Sequence, residues 1–157
     1  MIEELINYYE SLATKSKHIQ SFVRMDVNEL LAKTGENTIQ YPCMCLEVMA
    51  GQLAGAGRDN PNTVMTAGFA ILERVPEGDY TAEVQTLDRT LGIGLQVLAR
   101  MDRDRREGRI PALQEMNPDD TKWEQIGPMA DNAFGILFKV KTTHPVEMDV
   151  NPADWDE

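Results

Sequence analysis

The sequence predicts an α+β domain: an antiparallel sheet of about four strands, with an N-terminal helix and one long helix packed on one face. Three observations lead to this class. The first is a clean strand within residues 130–145, where large apolar side chains alternate with other residues and so indicate one buried face. The apolar positions are Phe134, Ile136, Phe138 and Val140. The second observation is that two segments have apolar residues at helical spacing. The third is the order of elements, which is helix, hairpin, helix and two strands.

The chain begins with a predicted amphipathic helix over residues 2–16. Its apolar side chains recur every three or four residues, at Ile2, Leu5, Ile6, Tyr9 and Leu12. A short second helix is predicted from the capping residue Asp26 to the terminator Gly35. Between them, the pattern of residues 18–25 is compatible with either a helix or a short extended segment.

The next two segments predict a long antiparallel hairpin. Residues 41–53 form its first strand, which begins at Pro42, and residues 63–75 form its second. The inner face of the first strand is expected to carry Met44, Leu46, Val48 and Ala50. Residues 54–62 are rich in glycine, asparagine and proline and predict an exposed loop, a common place for contacts with partners.

The longest predicted helix runs from residue 80 to about residue 107, with Asp79 as its N-cap and Gly108 as its terminator. One apolar stripe is expected to face the sheet, consisting of Tyr80, Val84, Leu87, Leu91, Leu95, Leu98 and Met101. The charged end of the helix, residues 102–107, is expected to project into solvent or against a neighbouring subunit.

The remaining segments complete the sheet. Residues 109–122 contain two prolines and predict an irregular connection with one helical turn. Residues 123–126 predict a short strand that pairs with the strand in 130–145 and ends at Gly127-Pro128. Residues 146–157 are expected to form a flexible C-terminal tail.

Composition indicates a single domain over residues 1–157 and restricts its partners. The net charge of -11 argues against binding to DNA or to anionic membranes over the whole surface, because phosphate affinity needs clustered Lys and Arg. The first ten residues contain three acids and no base, and no apolar run reaches the roughly 20 residues that span a bilayer. A cytoplasmic protein is therefore expected, with neither sequence-specific nucleic acid nor membrane as a partner.

No residue cluster predicts a catalytic, cofactor or metal site. Cys43 and Cys45 are expected to be buried thiols, because two thiolates are too few for structural zinc. Gly92-x-Gly94 lies inside a helix and lacks the third glycine of a dinucleotide fingerprint, so it predicts close packing or a bend. The two histidines, His18 and His144, are expected at the surface or at a strand end.

Three carboxylates invite comparison with metal-dependent nucleases: Asp119, Asp120 and Glu124. The comparison fails because Ile126 stands where the nuclease pattern requires lysine. An acidic loop before a strand is the preferred interpretation, and a hydrolase using these carboxylates is a distant alternative. The chain is predicted not to be an enzyme.

The segment 131–140, DNAFGILFKV, followed by Asp149 and Trp155, resembles the C-terminal strand and tail of small proteins encoded in prophage structural modules. The order of elements also resembles the tail terminator, or tail completion, family of long-tailed phages. This resemblance implies a noncatalytic α+β virion subunit that forms a homo-oligomeric ring, commonly six-membered, at the head-proximal end of the tail tube. It would contact tail-tube and head-connector proteins, first in the cytoplasm of the bacterial host and then in the virion tail.

Candidate subunit contacts occur in the hairpin loop, at the end of the long helix and in the tail. They are Arg58, Asp59, Asn60, Arg103, Arg105, Arg106 and Trp155. The same residues are equally compatible with a mobile loop tip, a solvated helix end and a cap on the core. The alternative function is a small α+β ligand- or peptide-binding module, with a pocket between the long helix and the sheet that the nine methionines could line.

Overall fold

The computed structural model describes residues 1–24, 39–55, 61–146 and 153. In these ranges the chain forms two long helices and six strands, so the predicted α+β class is confirmed with two more strands than expected. The helices are α1 (Ile2–Lys15) and α2 (Tyr80–Arg106). The strands are β1 (Ser21–Arg24), β2 (Cys43–Leu46), β3 (Ala50–Ala54), β4 (Asn62–Arg74), β5 (Lys122–Met129) and β6 (Ala133–Pro145).

The strands form one sheet in the order β1-β2-β4-β6-β5, and β3 pairs with β4 beside β2. All pairs are antiparallel except β1 with β2, which is parallel. The segment that carried the strongest strand pattern becomes β6, and it pairs with β4 along its full length. The centre of the sheet is therefore the β4–β6 pair, with β5 at one edge and β1 at the other.

Both predicted long helices are confirmed to within a residue of their ends. The Asp79 carboxylate accepts a hydrogen bond of 2.9 Å from the Ala82 N–H and so caps α2. Gly108 follows α2 with a φ of 64°, in the left-handed region where glycine is favoured. Residues 18–25 prove to contain the short strand β1. The helix predicted between Asp26 and Gly35 lies outside the described residues.

The strand predicted over residues 41–53 is two strands, because β2 and β3 pair with different parts of β4. The β2–β4 pairing ends where the Glu47 N–H donates to the Gly68 carbonyl, and the chain then leaves the sheet before β3 begins. Met44 is buried as predicted. Val48 is 77% exposed and Ala50 is also exposed, so their predicted place on an inner face is wrong.

The connection after α2 is irregular, as predicted, and the edge strand extends further than predicted. Two short 3-10 turns, Pro111–Leu113 and Pro118–Asp120, lie within the irregular segment. The edge strand β5 pairs with β6 as predicted, but it does not end at Gly127-Pro128. It continues to Met129 after a register shift.

The main core lies between the two helices and the sheet, and three aromatic rings form its centre. The rings of Tyr9 and Phe69 have centroids 5.7 Å apart, and those of Phe69 and Phe138 stack at 5.0 Å. All three side chains are nearly inaccessible to solvent. This cluster joins α1, β4 and β6, so the central strand pair and the helices form one packed unit.

A second, smaller cluster covers part of the opposite face of the sheet. Its buried members are Cys43, Cys45, Ala70, Leu72 and Leu137. The strand pattern predicted one buried face, and that prediction is wrong for the first half of β6, where Leu137 on the other face is buried as well. The expectation of buried thiols is confirmed, and burial raises the pKa of Cys43 to about 12.

Helix α2 is rotated about its axis relative to the sequence prediction. Its buried residues are Thr86, Thr90, Ile93, Gly94, Val97, Met101 and Asp104. Gly94 lies directly on the ring of Phe138, where an added Cβ would overlap the ring. The Thr90 hydroxyl donates to carbonyls of its own helix at 2.9 and 3.1 Å, so it is buried with its hydrogen bond made. The small side chains Thr86, Thr90 and Gly94 let α2 approach the sheet closely. Of the predicted apolar stripe, Met101 is buried and Leu87, Leu91 and Leu98 are partly buried against the core, but Tyr80, Val84 and Leu95 are exposed.

Candidate functional site

The rotation of α2 leaves large apolar side chains at the surface. Tyr80 is 79% exposed, Val84 60% and Leu95 47%. On the edge strand β5, Trp123 is 51% exposed. We call these four residues the α2 flank.

The helical residues of the α2 flank lie on the side of α2 that is next to β5. The helix packs over β4 and β6 and leaves the edge strand β5 outside. Trp123 stands opposite Phe138 in the β5–β6 pair, and Phe138 is the residue that Gly94 covers. Neighbouring strands are about 4.8 Å apart, so Trp123 lies beside the middle of α2. Near the start of α2, Tyr80 and Pro128 line one cavity of about 320 Å³, so this side of the helix faces toward β5.

Helix α1 occupies the other side of α2 and explains why only one side is open. Leu12 of α1 lines a small cavity together with Ile93, Val97 and Arg100 of α2. The residues of the α2 flank lie on the opposite side of the helix from these contacts, by the 3.6-residue period. The flank thus has no covering element within the described part of the chain.

One carboxylate lies inside the α2 flank. Asp88 is exposed and follows Val84 by one helical turn, so it stands between Val84 and Leu95 on the same side of α2. Its carboxylate makes no ion pair or hydrogen bond to any described residue. The adjacent cation Arg89 points elsewhere and pairs with Glu73 at 2.7 Å.

The edge strand beside the flank has features that discourage uncontrolled pairing. β5 has β6 as its one strand neighbour in the described sheet, and nearly all its side chains are exposed. Pro128 lies within it and cannot donate a backbone hydrogen bond. Glu124 pairs with Lys139 of β6 at 2.8 Å. Charges and proline on an edge limit open-ended strand addition, so contact with a partner would depend on side chains.

A second apolar surface lies near the opposite edge of the sheet, and we call it the α1 groove. It has a volume of about 460 Å³ and lies between the start of α1, the end of β1 and the segment after β2. Its lining residues are Ile2, Ile6, Arg24, Leu46, Glu47, Val48 and Met49. Arg24 is exposed and makes no ion pair with any described residue. The Glu47 side chain folds over Gly68.

A buried carboxylate ties the two helices together. Asp104 of α2 accepts hydrogen bonds from Tyr8 Oη at 2.9 Å and from Arg100 Nε at 2.9 Å. Arg109 lies 3.9 Å away. Burial alone would raise the pKa of Asp104, but the hydrogen bonds from Arg100 and Tyr8 and the two guanidinium charges hold it below its usual value. The end of α2 was expected to be solvated or to contact a neighbour, and for Asp104 that expectation is wrong because the carboxylate anchors α1.

The arginines predicted as subunit contacts lie at the surface and are paired within the last turns of α2. Arg103 pairs with Glu107 at 2.9 Å, while Arg105 and Arg106 each pair with Asp102 at 2.8 Å. The other predicted contacts, Arg58, Asp59, Asn60 and Trp155, lie outside the described residues. The α2 flank was missed in the sequence because Tyr80, Val84 and Leu95 were assigned to the buried side of the helix and Trp123 was assigned only to a strand.

Several other titratable residues make local contacts. Glu124 pairs with Lys139, and Asp120 accepts a hydrogen bond from the Asn117 amide at 3.3 Å. His144, which was expected at the surface or a strand end, is near the end of β6 but buried, with Nε2 2.8 Å from Thr142 Oγ1. Burial lowers the pKa of His144. Within the described ranges, no group of three or more His, Cys, Asp or Glu side chains is placed to hold a metal ion.

Comparisons with known proteins do not assign a function, so the functional argument rests on the fold and on these two surfaces. No protein-family model matches the chain, and no match is found among curated proteins. Neither long helix has the length and hydropathy needed to cross a membrane, and the same holds for every other helix in the described residues.

Proposed function

We propose that this protein is a noncatalytic structural subunit, similar to phage tail terminator or tail completion proteins, which associates with copies of itself into a closed ring. The observation that carries the proposal is the α2 flank. In the virion, the ring would lie at the head-proximal end of the tail tube and contact tail-tube and head-connector proteins. The subunit would assemble in the cytoplasm of the bacterial host.

The α2 flank has the composition of an association surface. Single exposed apolar residues are normal, whereas several large exposed apolar residues on one side of a helix and its neighbouring strand favour a place where another molecule binds. Two of the four flank residues are aromatic, Tyr80 and Trp123, and aromatic residues are enriched in protein interfaces. Self-association would remove this surface from water, which is the main favourable contribution to association.

A ring subunit needs a rigid body and contact surfaces, with no requirement for chemistry. The stacked core of Phe69 and Phe138 and the anchor between Tyr8 and Asp104 hold the helices and the sheet as one unit. The paired carboxylates and buried histidine described above have structural contacts of their own. The arginines at the end of α2 remain proposed contacts to neighbouring copies.

A second candidate function is a ligand- or peptide-binding module, and the α1 groove favours it. A volume of about 460 Å³, lined by apolar side chains together with Arg24 and Glu47, is within the range of small-molecule sites. This groove adjoins α1, whereas the sequence suggested a pocket under the long helix. Of the described methionines, Met49 lines the groove, and Met44, Met65, Met101 and Met116 are buried in the core. Gap filling is therefore the main role of the methionines that the structure describes.

The proposal is tested by measuring the mass of the purified protein by light scattering over a range of concentrations and imaging it by negative stain. We expect closed particles of uniform diameter with a mass that is a small multiple of the chain. Val84→Lys places a charge in the α2 flank and should strongly weaken assembly, because an interface charge without a partner is costly.

The matched control is Gln85→Lys, an exposed position one residue further along α2 on another side of the helix. It adds the same charge and should leave assembly unchanged. Circular dichroism and thermal unfolding would verify that both variants fold. If the wild-type chain and both variants remain monomeric at the highest soluble concentration, the proposal is refuted.

A further inference from the structure

We infer that the α1 groove of one copy receives the α2 flank of the next copy, with Arg24 of the first opposite Asp88 of the second. This inference rests on the proposed function, because it names the partner of the α2 flank. The contact joins two unlike surfaces of the same chain, which makes it a head-to-tail contact.

The positions of the two surfaces support a head-to-tail contact. The groove adjoins β1, and the flank adjoins β5, at opposite ends of the strand order. Four strand spacings separate these ends, a distance of about 19 Å. A contact between unlike surfaces on opposite sides of a subunit leaves one free surface at each end of a pair, so it can repeat and close into a ring. A contact between two α2 flanks would instead bury the flank of each copy in the same interface, and association would stop at a dimer.

Both surfaces expose apolar side chains. Val84 and Leu95 are exposed on one side of α2, with Leu91 between them partly buried against the core. The groove presents Ile2, which is 54% exposed, and Val48, which is 77% exposed, around its opening. Placing the helix in the groove would cover the exposed apolar residues of both surfaces in one contact.

The charges select this pairing over a symmetric one. Asp88 is a carboxylate within the flank and Arg24 is a guanidinium in the groove, and neither has an ion-pair partner in the described chain. Glu47 also lines the groove, but its side chain folds over Gly68 and has an interaction of its own. A flank-to-flank contact would bring two Asp88 carboxylates together, and a groove-to-groove contact would bring two Arg24 side chains together. Like charges in an interface oppose association, whereas flank to groove brings opposite charges together.

The test is a charge exchange measured by the concentration at which the oligomer dissociates. Arg24→Asp and Asp88→Arg, each alone, should weaken association by roughly 10- to 100-fold, because each places like charges in contact. The double variant restores an opposite pair with reversed polarity. It should recover association to within about tenfold of the wild-type protein.

The matched control combines Asp88→Arg with Lys17→Asp. Lys17 is exposed after α1 and lines neither surface, so this double variant has the same net charge as the exchange but no restored pair. It should remain as weak as Asp88→Arg alone. If the exchange variant recovers no more than this control, the inference is overturned while the ring proposal stands.

Cysteine pairing provides a second, independent readout. Val48→Cys and Val84→Cys proteins, mixed in equal amounts and oxidised, should form a heterologous disulfide, and neither should cross-link with itself. The native thiols are buried and should not interfere. A Val84→Cys homodimer would overturn the inference in favour of a symmetric contact. A small molecule bound in the groove of a monomeric protein would overturn both the inference and the proposed function.

Discussion

Two glycines in the middle of α2 provide a matched test of how closely this helix packs on the sheet. Gly92 and Gly94 are two residues apart, and both lie in the middle of the helix, far from its ends. A Cβ at Gly92 would meet nothing within 4 Å, whereas a Cβ at Gly94 would overlap the ring of Phe138. Phe138 is fully buried and stacked on Phe69, so it has little room to move. The two positions therefore differ mainly in packing.

The magnitudes follow from two opposing effects. Replacing glycine by alanine within a helix stabilises it by about 1 kcal/mol, because alanine loses less backbone freedom on folding. Forcing a methyl group into a packed core costs typically about 1–3 kcal/mol. Gly92→Ala should therefore raise the free energy of unfolding by about 1 kcal/mol. Gly94→Ala gains the same helix contribution but adds the packing cost, so it should be about 1–3 kcal/mol less stable than Gly92→Ala.

The assay is urea unfolding followed by circular dichroism, at one fixed protein concentration because self-association would add to stability. For a domain of this size, the predicted difference corresponds to about 2–12 °C in Tm. A cycle with Phe138→Leu should remove part of the Gly94→Ala cost, since the smaller side chain leaves room for the methyl group. If both alanine variants were equally stabilised, the close approach of α2 to Phe138 would be refuted.

Two further predictions concern buried ionisable groups. Asp104→Asn should lower the free energy of unfolding by about 1–3 kcal/mol near pH 7, because Tyr8 and Arg100 lose a charged acceptor. The pKa of Asp104 is below its usual value, so its stabilising contribution is present above about pH 4 and is lost as the pH falls through the folded-state pKa. Urea unfolding between pH 7 and pH 2 should show the wild-type and variant curves converging at low pH, and parallel curves would contradict the assignment. Cys43 and Cys45 should react with a thiol reagent at pH 8 only on unfolding, since both are buried and the pKa of Cys43 is raised to about 12; rapid labelling of the native protein would refute their burial.

Helix α2 shows where sequence reasoning succeeds and where it stops. The N-cap Asp79 and the terminator Gly108 act through hydrogen bonds and backbone angles within a few residues, so both ends of the helix were predictable. The side of the helix that faces the sheet was not predictable from the sequence. A stripe through Val84 and Leu95 is more apolar than one through Thr86 and Thr90, yet the latter is buried because it contains the small residues that permit close approach.

The sheet shows the same limit. The period-two pattern of β6 identified the central strand, but a single strand does not reveal what covers its second face. Leu137 is buried because β2 and β4 bring Cys45 and Ala70 beside it, and these residues are far from it in the sequence. The break between β2 and β3 likewise depends on which part of β4 each strand pairs with. Pairing partners distant along the chain decided both features.

The sequence by itself determined the α+β class, the ends of both long helices and the location of the central strand. These features depend on local backbone preferences and on apolar periodicity, which can be read within a short window. Only the tertiary structure decided which side of α2 is open, that Asp104 anchors α1, and that Arg24 and Asp88 lie in separate apolar surfaces at opposite ends of the sheet. Those features depend on contacts between residues distant in the chain, where close packing and buried hydrogen bonds outweigh the average hydrophobicity of a helix face.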